Sequence, residues 1–167
     1  MHETDEDLAA LQALLDRSYE NAGEHLLRIH TPERRLTAEQ VSERLTGMRL
    51  LALATVSSAG RPIVGPVDGI FFRGAFHFGS SPDSVRFRHI AKRPWVSATH
   101  LPGEELAVTV HGRAELVDTS SGPLRDVLRD IYGAEWCETI LDAGAAYARI
   151  DAERMFTFSM PAEAPAP

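Results

Sequence analysis

Along the first third of the chain, apolar positions recur at the spacing of one helical face. Leu8, Leu11, Leu15, Tyr19, Ala22 and Leu26 fall on one stripe. Asp5, Glu6 and Asp7 stand at its start, where the helix dipole favours acids. The Thr31-Pro32 pair breaks the pattern. A second helix start follows, in which Thr37 with Gln40 has the spacing of a capping box and Leu36 with Val41 that of a hydrophobic staple. Gly47 marks its stop.

From Arg49 the period becomes extended. Residues 50–56 read as a buried strand, 57–60 as a turn, and 62–72 as a long second strand. Its Gly65-Pro66 pair and Gly69 predict a bulge or an edge, because proline donates no ladder hydrogen bond. Arg73-Gly74 makes a tight hairpin loop into a third strand at 75–79. Residues 95–100 and 106–117 supply two more strands around a turn at Pro102-Gly103. Pro123 opens a helix carrying Leu124, Val127, Leu128 and Ile131, and 134–141 reads as another. Residues 147–150 and 155–160 are extended again, and the Pro/Ala tail at 161–167 is expected to be disordered. The pattern predicts a small antiparallel barrel or sandwich with flanking helices. Residues 1–47 form a helical segment packing on a barrel at 48–160, and one helix sits between strands three and four.

Composition narrows the partners. Across 167 residues, 24 acids stand against 17 bases, a net charge of −7, which argues against nucleic acid and anionic membrane as partners. No apolar run approaches the roughly 20 residues of a membrane span. The start, MHETDEDLAA, lacks the pattern of a signal peptide. With Cys137 as the one cysteine, no internal disulfide forms, and the expectation is a cytoplasmic protein. The charge is unevenly spread. Residues 1–45 carry 10 acids and 5 bases, 119–167 carry 8 and 4, but 46–118 carry 6 and 8, a net +2.

That positive middle contains the segment SSPDSVRFRHIAKRP, directly after the third strand. Ser81 is a good N-cap, Pro82 a favoured first helical residue, and Asp83 and Ser84 belong to the first turn. A helix start here, with hydroxyls at Ser80, Ser81 and Ser84 and guanidinium groups at Arg86 and Arg88, suits a phosphate. The plainer alternative is a capped surface helix. Asp83 favours that alternative, since its carboxylate already occupies the dipole and repels an anion.

Three stretches, LALATVSSAGRPIVGPV, FHFGSSPDSVRFRHIAKRPWVSATH and LAVTVHGRAELVD, arrive in an order and spacing that resemble the pyridoxamine 5'-phosphate oxidase-like superfamily. Its members are flavin-binding split β-barrels, and the resemblance is strongest to the branch using FMN or the related factor-420 deazaflavin. The resemblance implies a mainly β fold, a six-stranded antiparallel split β-barrel with N-terminal helices. It also implies a homodimer with the cofactor in the interface and hydride transfer to a small-molecule substrate. Ser80 and Ser81 match the pair that holds the cofactor phosphate or ribityl end. Arg86 stands where a phosphate-pairing lysine is usual, and Ser84 matches a neighbouring serine. Val64, Gly65, Pro66 and Val67 would lie along the isoalloxazine ring. The C-terminal Trp strand and Arg-x-His element of the vitamin B6 oxidase do not follow Phe156, so that activity is not expected. Asp83 in place of glycine and Arg86 in place of lysine leave a cofactor other than FMN open. Distant relatives bind haem, and a non-catalytic flavin or haem store in the same fold is the alternative.

Other chemistry finds less support. The histidines include no ligand pair at a characteristic short spacing, so no metal site is expected. His77, between Phe76 and Phe78, reads as a barrel-surface residue, and His111 as a packed one. Cys137 reads as core, and Asp68 and Glu115 are isolated carboxylates. No catalytic side chain is expected where the cofactor itself does the chemistry.

Overall fold

The structure, a computed structural model, describes residues 2–160, so the tail at 161–167 lies outside the described residues. Two capping boxes set the N-terminal helices. Thr4 and Asp7 exchange side-chain and backbone hydrogen bonds at the start of α1 (Asp5–Glu20), and Thr37 and Gln40 do so at α3 (Ala38–Arg44). The single stripe expected through Leu26 is broken, since Asn21 caps the Arg17 carbonyl and Gly23 starts a short α2 (Glu24–Ile29).

Six strands follow: β1 (Met48–Val56), β2 (Pro62–Phe72), β3 (Ala75–Ser80), β4 (Trp95–Gly103), β5 (Leu106–Val117) and β6 (Ala146–Ser159). They close an antiparallel barrel in the order β1-β2-β3-β6-β5-β4, sealed by β1 against β4. A short α4 (Val85–Ile90) joins β3 to β4, and α5 (Pro123–Tyr132) with α6 (Ala134–Trp136) and a π turn (Cys137–Leu141) join β5 to β6. The hairpin at Arg73-Gly74 has both residues at positive φ, as a two-residue loop matched to strand twist requires.

Three expectations are corrected. The two C-terminal extended segments are one strand, bent at a bulge where His111 pairs with Arg154 but Gly112 with Ala152. Gly112 is needed there because a Cβ would run into the Asp151 carbonyl. Second, β4 continues through Pro102-Gly103, and the reversal falls on Glu104-Glu105. Third, His77 is buried, not on the barrel surface. It points outward from β3, but α5 covers that side, and the ring packs against Phe72. Within β2, Pro66 marks an edge and not a bulge. The β1–β2 register runs unshifted from Met48–Ile70 to Val56–Pro62, while β3 pairs only with residues 69–72.

Phe71, Phe76, Phe78 and Phe87 fill the barrel with Leu51, Leu53, Val108 and Met155. A second, smaller core lies outside it, where Ile70, Phe72 and Tyr147 pack under Leu124, Val127, Leu128, Cys137 and Leu141.

The short β3 leaves β6 without a neighbour beyond its pairing at residues 146–149. Side chains from the N-terminal segment supply the missing partners. Ser18 Oγ accepts from the Met155 N–H at 2.9 Å. The Tyr19 hydroxyl accepts from the Thr157 N–H at 2.9 Å and donates to its carbonyl at 2.7 Å. The Leu36 N–H donates to Thr157 Oγ1. The Met155 N–H and both backbone groups of Thr157 are thereby satisfied without a further strand.

Candidate functional site

The other consequence of a short β3 is a cleft. Residues 62–68 of β2 have β1 on one side only. Beside them the chain leaves β3 through Ser80-Ser81-Pro82-Asp83. A cavity of about 660 Å³ opens between this turn, the β2 edge and the α6–π segment. A smaller one of about 220 Å³ adjoins it along Ile63, Val64 and Gly65, and Ser80 and Arg86 line both.

The helix after β3 begins later than the sequence suggests. Residues 81–84 form a turn, the N-cap is Ser84, and its hydroxyl oxygen accepts from the Phe87 N–H. Ser81 does not cap anything: its hydroxyl donates to the Asp83 carboxylate, which holds that acid below its ordinary range. Proline at 82 and aspartate at 83 stabilise the turn itself, which is why they mimic a helix start. Ser81 therefore has no free O–H donor for a ligand, whereas Ser80 and Ser84 keep theirs. Arg88 turns back to the Asp83 carbonyl, away from the cleft.

Arg86 reaches across to β2, where Nη2 donates to the Pro66 carbonyl at 2.9 Å. The guanidinium thus satisfies an edge carbonyl that no strand pairs. Its remaining donors are free toward the cavities. Gly65 lies directly under it, with Arg86 Nη2 at 3.5 Å from where a Cβ would stand.

All eight residues singled out from the sequence meet around Arg86. Val64 and Gly65 line the smaller cavity with Ser80 and Ser84, Pro66 supplies the carbonyl, and Val67, Ser80 and Ser81 line the larger one. Val67 turns its side chain into the core, so only its backbone faces a ligand.

The far wall is made of residues the sequence reading did not select. Tyr147 packs on Gly79, where any Cβ would fall inside its ring. Burial pushes its phenol well above the ordinary range. Trp136 stacks on Tyr132 at 4.4 Å, and the Tyr132 hydroxyl reaches Asp68 at 3.5 Å. Burial, and then the Asp68 charge, push Tyr132 up to about 12. Asp68 could have been found, since it follows Val67 on the selected strand. Trp136 could not, because its place depends on how residues 118–145 fold back.

Outside the barrel, cross-strand neighbours on β4, β1 and β2 form a face of apolar and hydroxyl side chains, with the Asp68 carboxylate opposite Leu50 at one end. Its rows are Thr99, Ala52, Pro66 and Ser97, Ala54, Val64, with Leu50 and Leu101 at one end and Trp95 at the other. Leu50, Val64, Leu101 and Trp95 are 60%, 65%, 62% and 47% exposed. His111 is exposed too, bonded to Ser97 at 2.8 Å, and not packed as expected. No helix of the described residues is long and apolar enough to cross a membrane.

Comparison with solved structures shows what this architecture is similar to. The flavocytochrome Anf3 of Azotobacter vinelandii superposes with a TM-score of 0.63 at 16% identity, covering 88% of this chain and 75% of that one. A FAD-binding protein of Mesorhizobium loti gives 0.53 at 21% identity, covering 77% and 98%. An F420 reductase gives 0.55 at 20% identity, covering 68% and 94%. At these identities the likeness is one of fold. No curated protein matches the chain. The family model for pyridoxamine 5'-phosphate oxidase matches residues 37–159, from the capping box of α3 to the end of β6. On that match, the chain belongs to the pyridoxamine 5'-phosphate oxidase family.

Proposed function

We propose that the protein is an FMN-dependent oxidoreductase that works as a homodimer and passes hydride to a small molecule. The observation that carries this reading is the position of Arg86, which is bonded to the unpaired edge of β2 and lines the smaller cavity together with Ser80 and Ser84, where it meets the larger one. The donor set fits a phosphate monoester: a guanidinium with free N–H groups and two hydroxyls with free protons. The exposed Ile63-Val64-Gly65 edge fits the flank of a planar ring, with unpaired backbone groups to meet its polar atoms. Bound there, a flavin would supply the hydride chemistry. The chain's own part is to hold the phosphate, orient the ring against β2 and exclude water from one side.

Charge favours FMN over the deazaflavin coenzyme. Among the described residues Arg86 is the one base lining the larger cavity, and Asp68 and Asp83 line it too. A long acidic tail finds no basic groove there. Haem is favoured less, since among the described residues no histidine, cysteine or methionine lines the cavity. The uncharged part of the outer face, from the Thr99–Ala52–Pro66 row to Trp95, suits a two-fold interface with a second copy, continuous with the cofactor edge and clear of Asp68.

The test is spectroscopic: purify the protein, record its absorption, and titrate FMN, deazaflavin and haem. A colourless protein that binds none of them sinks the proposal. Arg86→Ala should weaken FMN by about 1.5–3 kcal/mol, or roughly 10- to 150-fold, the worth of a charged hydrogen bond. Unchanged affinity would place the phosphate elsewhere.

A further inference from the structure

The larger cavity extends well past the phosphate donors. Along β2, Val64 and Asp68 are four residues apart, about 13 Å at the rise of a strand. A ring seated beside Val64 therefore leaves the Asp68 end free. That end has a different chemistry. The Asp68 carboxylate is exposed and has no basic partner within ion-pair distance among the described residues. Its hydrogen bond comes from Tyr132, whose ring is stacked on Trp136. The stacking fixes the indole where it lines the cavity. Tyr147 lines the same end and makes no side-chain hydrogen bond within the described protein, and with its phenol held protonated by burial it is a spare donor.

We infer that the Asp68–Trp136–Tyr147 end of the cleft is a subsite for a planar aromatic cation, or for the protonated amino group of an aromatic substrate. A flat π surface of indole attracts a cation as well as a ring. The carboxylate adds charge at one edge, and the phenol adds a directional donor. Arg86 does not neutralise Asp68, because it is held at the Pro66 carbonyl. Asp83 lies in the turn beside Arg86, so of the two acids and one base that line the cavity, the acid at the Asp68 end has no base next to it. This substrate class rests on the preceding proposal only in assigning the Arg86 corner to the cofactor.

The experiment titrates proflavine, a planar aminoacridinium cation, and anthracene-9-carboxylate, a planar anion, into the full chain. Each titration is made with and without saturating FMN. Dye anisotropy and quenching of tryptophan fluorescence are the readouts. Proflavine should bind both preparations and quench Trp136, with the anion at least about tenfold weaker. Asp68→Asn should weaken proflavine by roughly 5- to 30-fold, the worth of a charge-assisted contact, and leave FMN affinity within about twofold. Trp136→Ala should abolish the quenching that Trp95→Phe leaves intact. Equal binding of the two dyes, proflavine affinity untouched by Asp68→Asn, or displacement of proflavine by FMN would each overturn the subsite. Failure of FMN to bind, with proflavine binding still dependent on Asp68, would overturn the cofactor reading and leave this one standing.

Discussion

Replacing Tyr19 by phenylalanine isolates what the N-terminal helices do for the barrel. The substitution keeps the ring, with its edge contact to Phe156 at 5.5 Å and the Arg35 guanidinium 4.1 Å above it, and removes one oxygen. That oxygen serves two backbone groups of Thr157, a residue with 0% exposure. The Thr157 carbonyl keeps a second partner in His30 Nδ1 at 2.9 Å, so its loss is an ordinary hydrogen bond of about 1 kcal/mol. The N–H is left with no partner, at about 1–3 kcal/mol for a buried unsatisfied donor. The sum is about 2–4 kcal/mol. In a domain of this size that lowers Tm by roughly 5–15 °C. Urea denaturation should show a lower midpoint at an unchanged slope, since the exposed surface does not change. Arg129→Ala, which breaks an exposed i,i+3 pair with Asp126, is the control and should cost under about 0.5 kcal/mol. A Tyr19→Phe protein within about 0.5 kcal/mol of the parent would refute the claim that this hydroxyl satisfies the Thr157 backbone at the β6 edge.

Three further predictions concern the second core and the cleft. Burial holds His77 neutral when folded, its pKa pushed down to about 4, whereas the unfolded chain takes the proton near 6.5. Its contribution to stability is therefore complete above pH 6.5 and is lost as pH falls toward 4. By pH 5 the loss is about 2 kcal/mol, and His77→Leu should flatten that part of the denaturation profile measured from pH 7.5 to 5. Asp83→Asn removes a negative charge beside the phosphate corner while keeping an acceptor for the Ser81 hydroxyl; FMN should bind roughly 2- to 5-fold tighter at low salt, with the gain shrinking at high salt, and weaker binding would contradict the placement. Gly79→Ala forces the Tyr147 ring aside, so it should cost about 1–3 kcal/mol by denaturation and alter proflavine binding; a neutral result would mean the ring has room the packing denies it.

Much of the fold was legible in the sequence because it is written locally. The capping box at Thr37 and Gln40, the Arg73-Gly74 hairpin and the Pro123 helix start each depend on a few neighbouring residues, and each is found where expected. What failed depended on distant chain. His77 has the alternation of a surface position, and it is buried beside Phe72 in the layer that α5, some 50 residues later, covers. The β6 bulge is invisible as a periodicity, because its extra residue is defined by the register with Gly112. The site divides the same way. Ser80, Ser84, Arg86 and the β2 edge lie in segments with recognisable spacing, whereas Trp136 and Tyr147 reach the cleft only through the fold-back of residues 118–145. At Ser81 the error was one of competition. Ser-Pro-Asp suits a helix cap and a tight turn equally, and a hydroxyl bonded to Asp83 decides for the turn.

The length of β3 connects stability to function. With six residues it is too short to cover either neighbour, and it leaves two strand edges at its opposite ends: residues 150–159 of β6 and 62–68 of β2. Unpaired edges inside a protein cost free energy or invite a partner. At the β6 edge, Ser18 and Tyr19 satisfy backbone groups of Met155 and Thr157 from within the chain. The β2 edge has Arg86 alone, one guanidinium for seven residues of strand, with Pro62 and Pro66 reducing the donors it exposes. Had the chain required both edges filled, a longer β3 would have done it with backbone alone. The asymmetry leaves the β2 edge as the less satisfied of the two, and it is there that the proposed cofactor site lies. It also predicts independence: Tyr19→Phe should destabilise the barrel without changing FMN affinity at the far end of β3, and Arg86→Ala should change that affinity at little cost in stability.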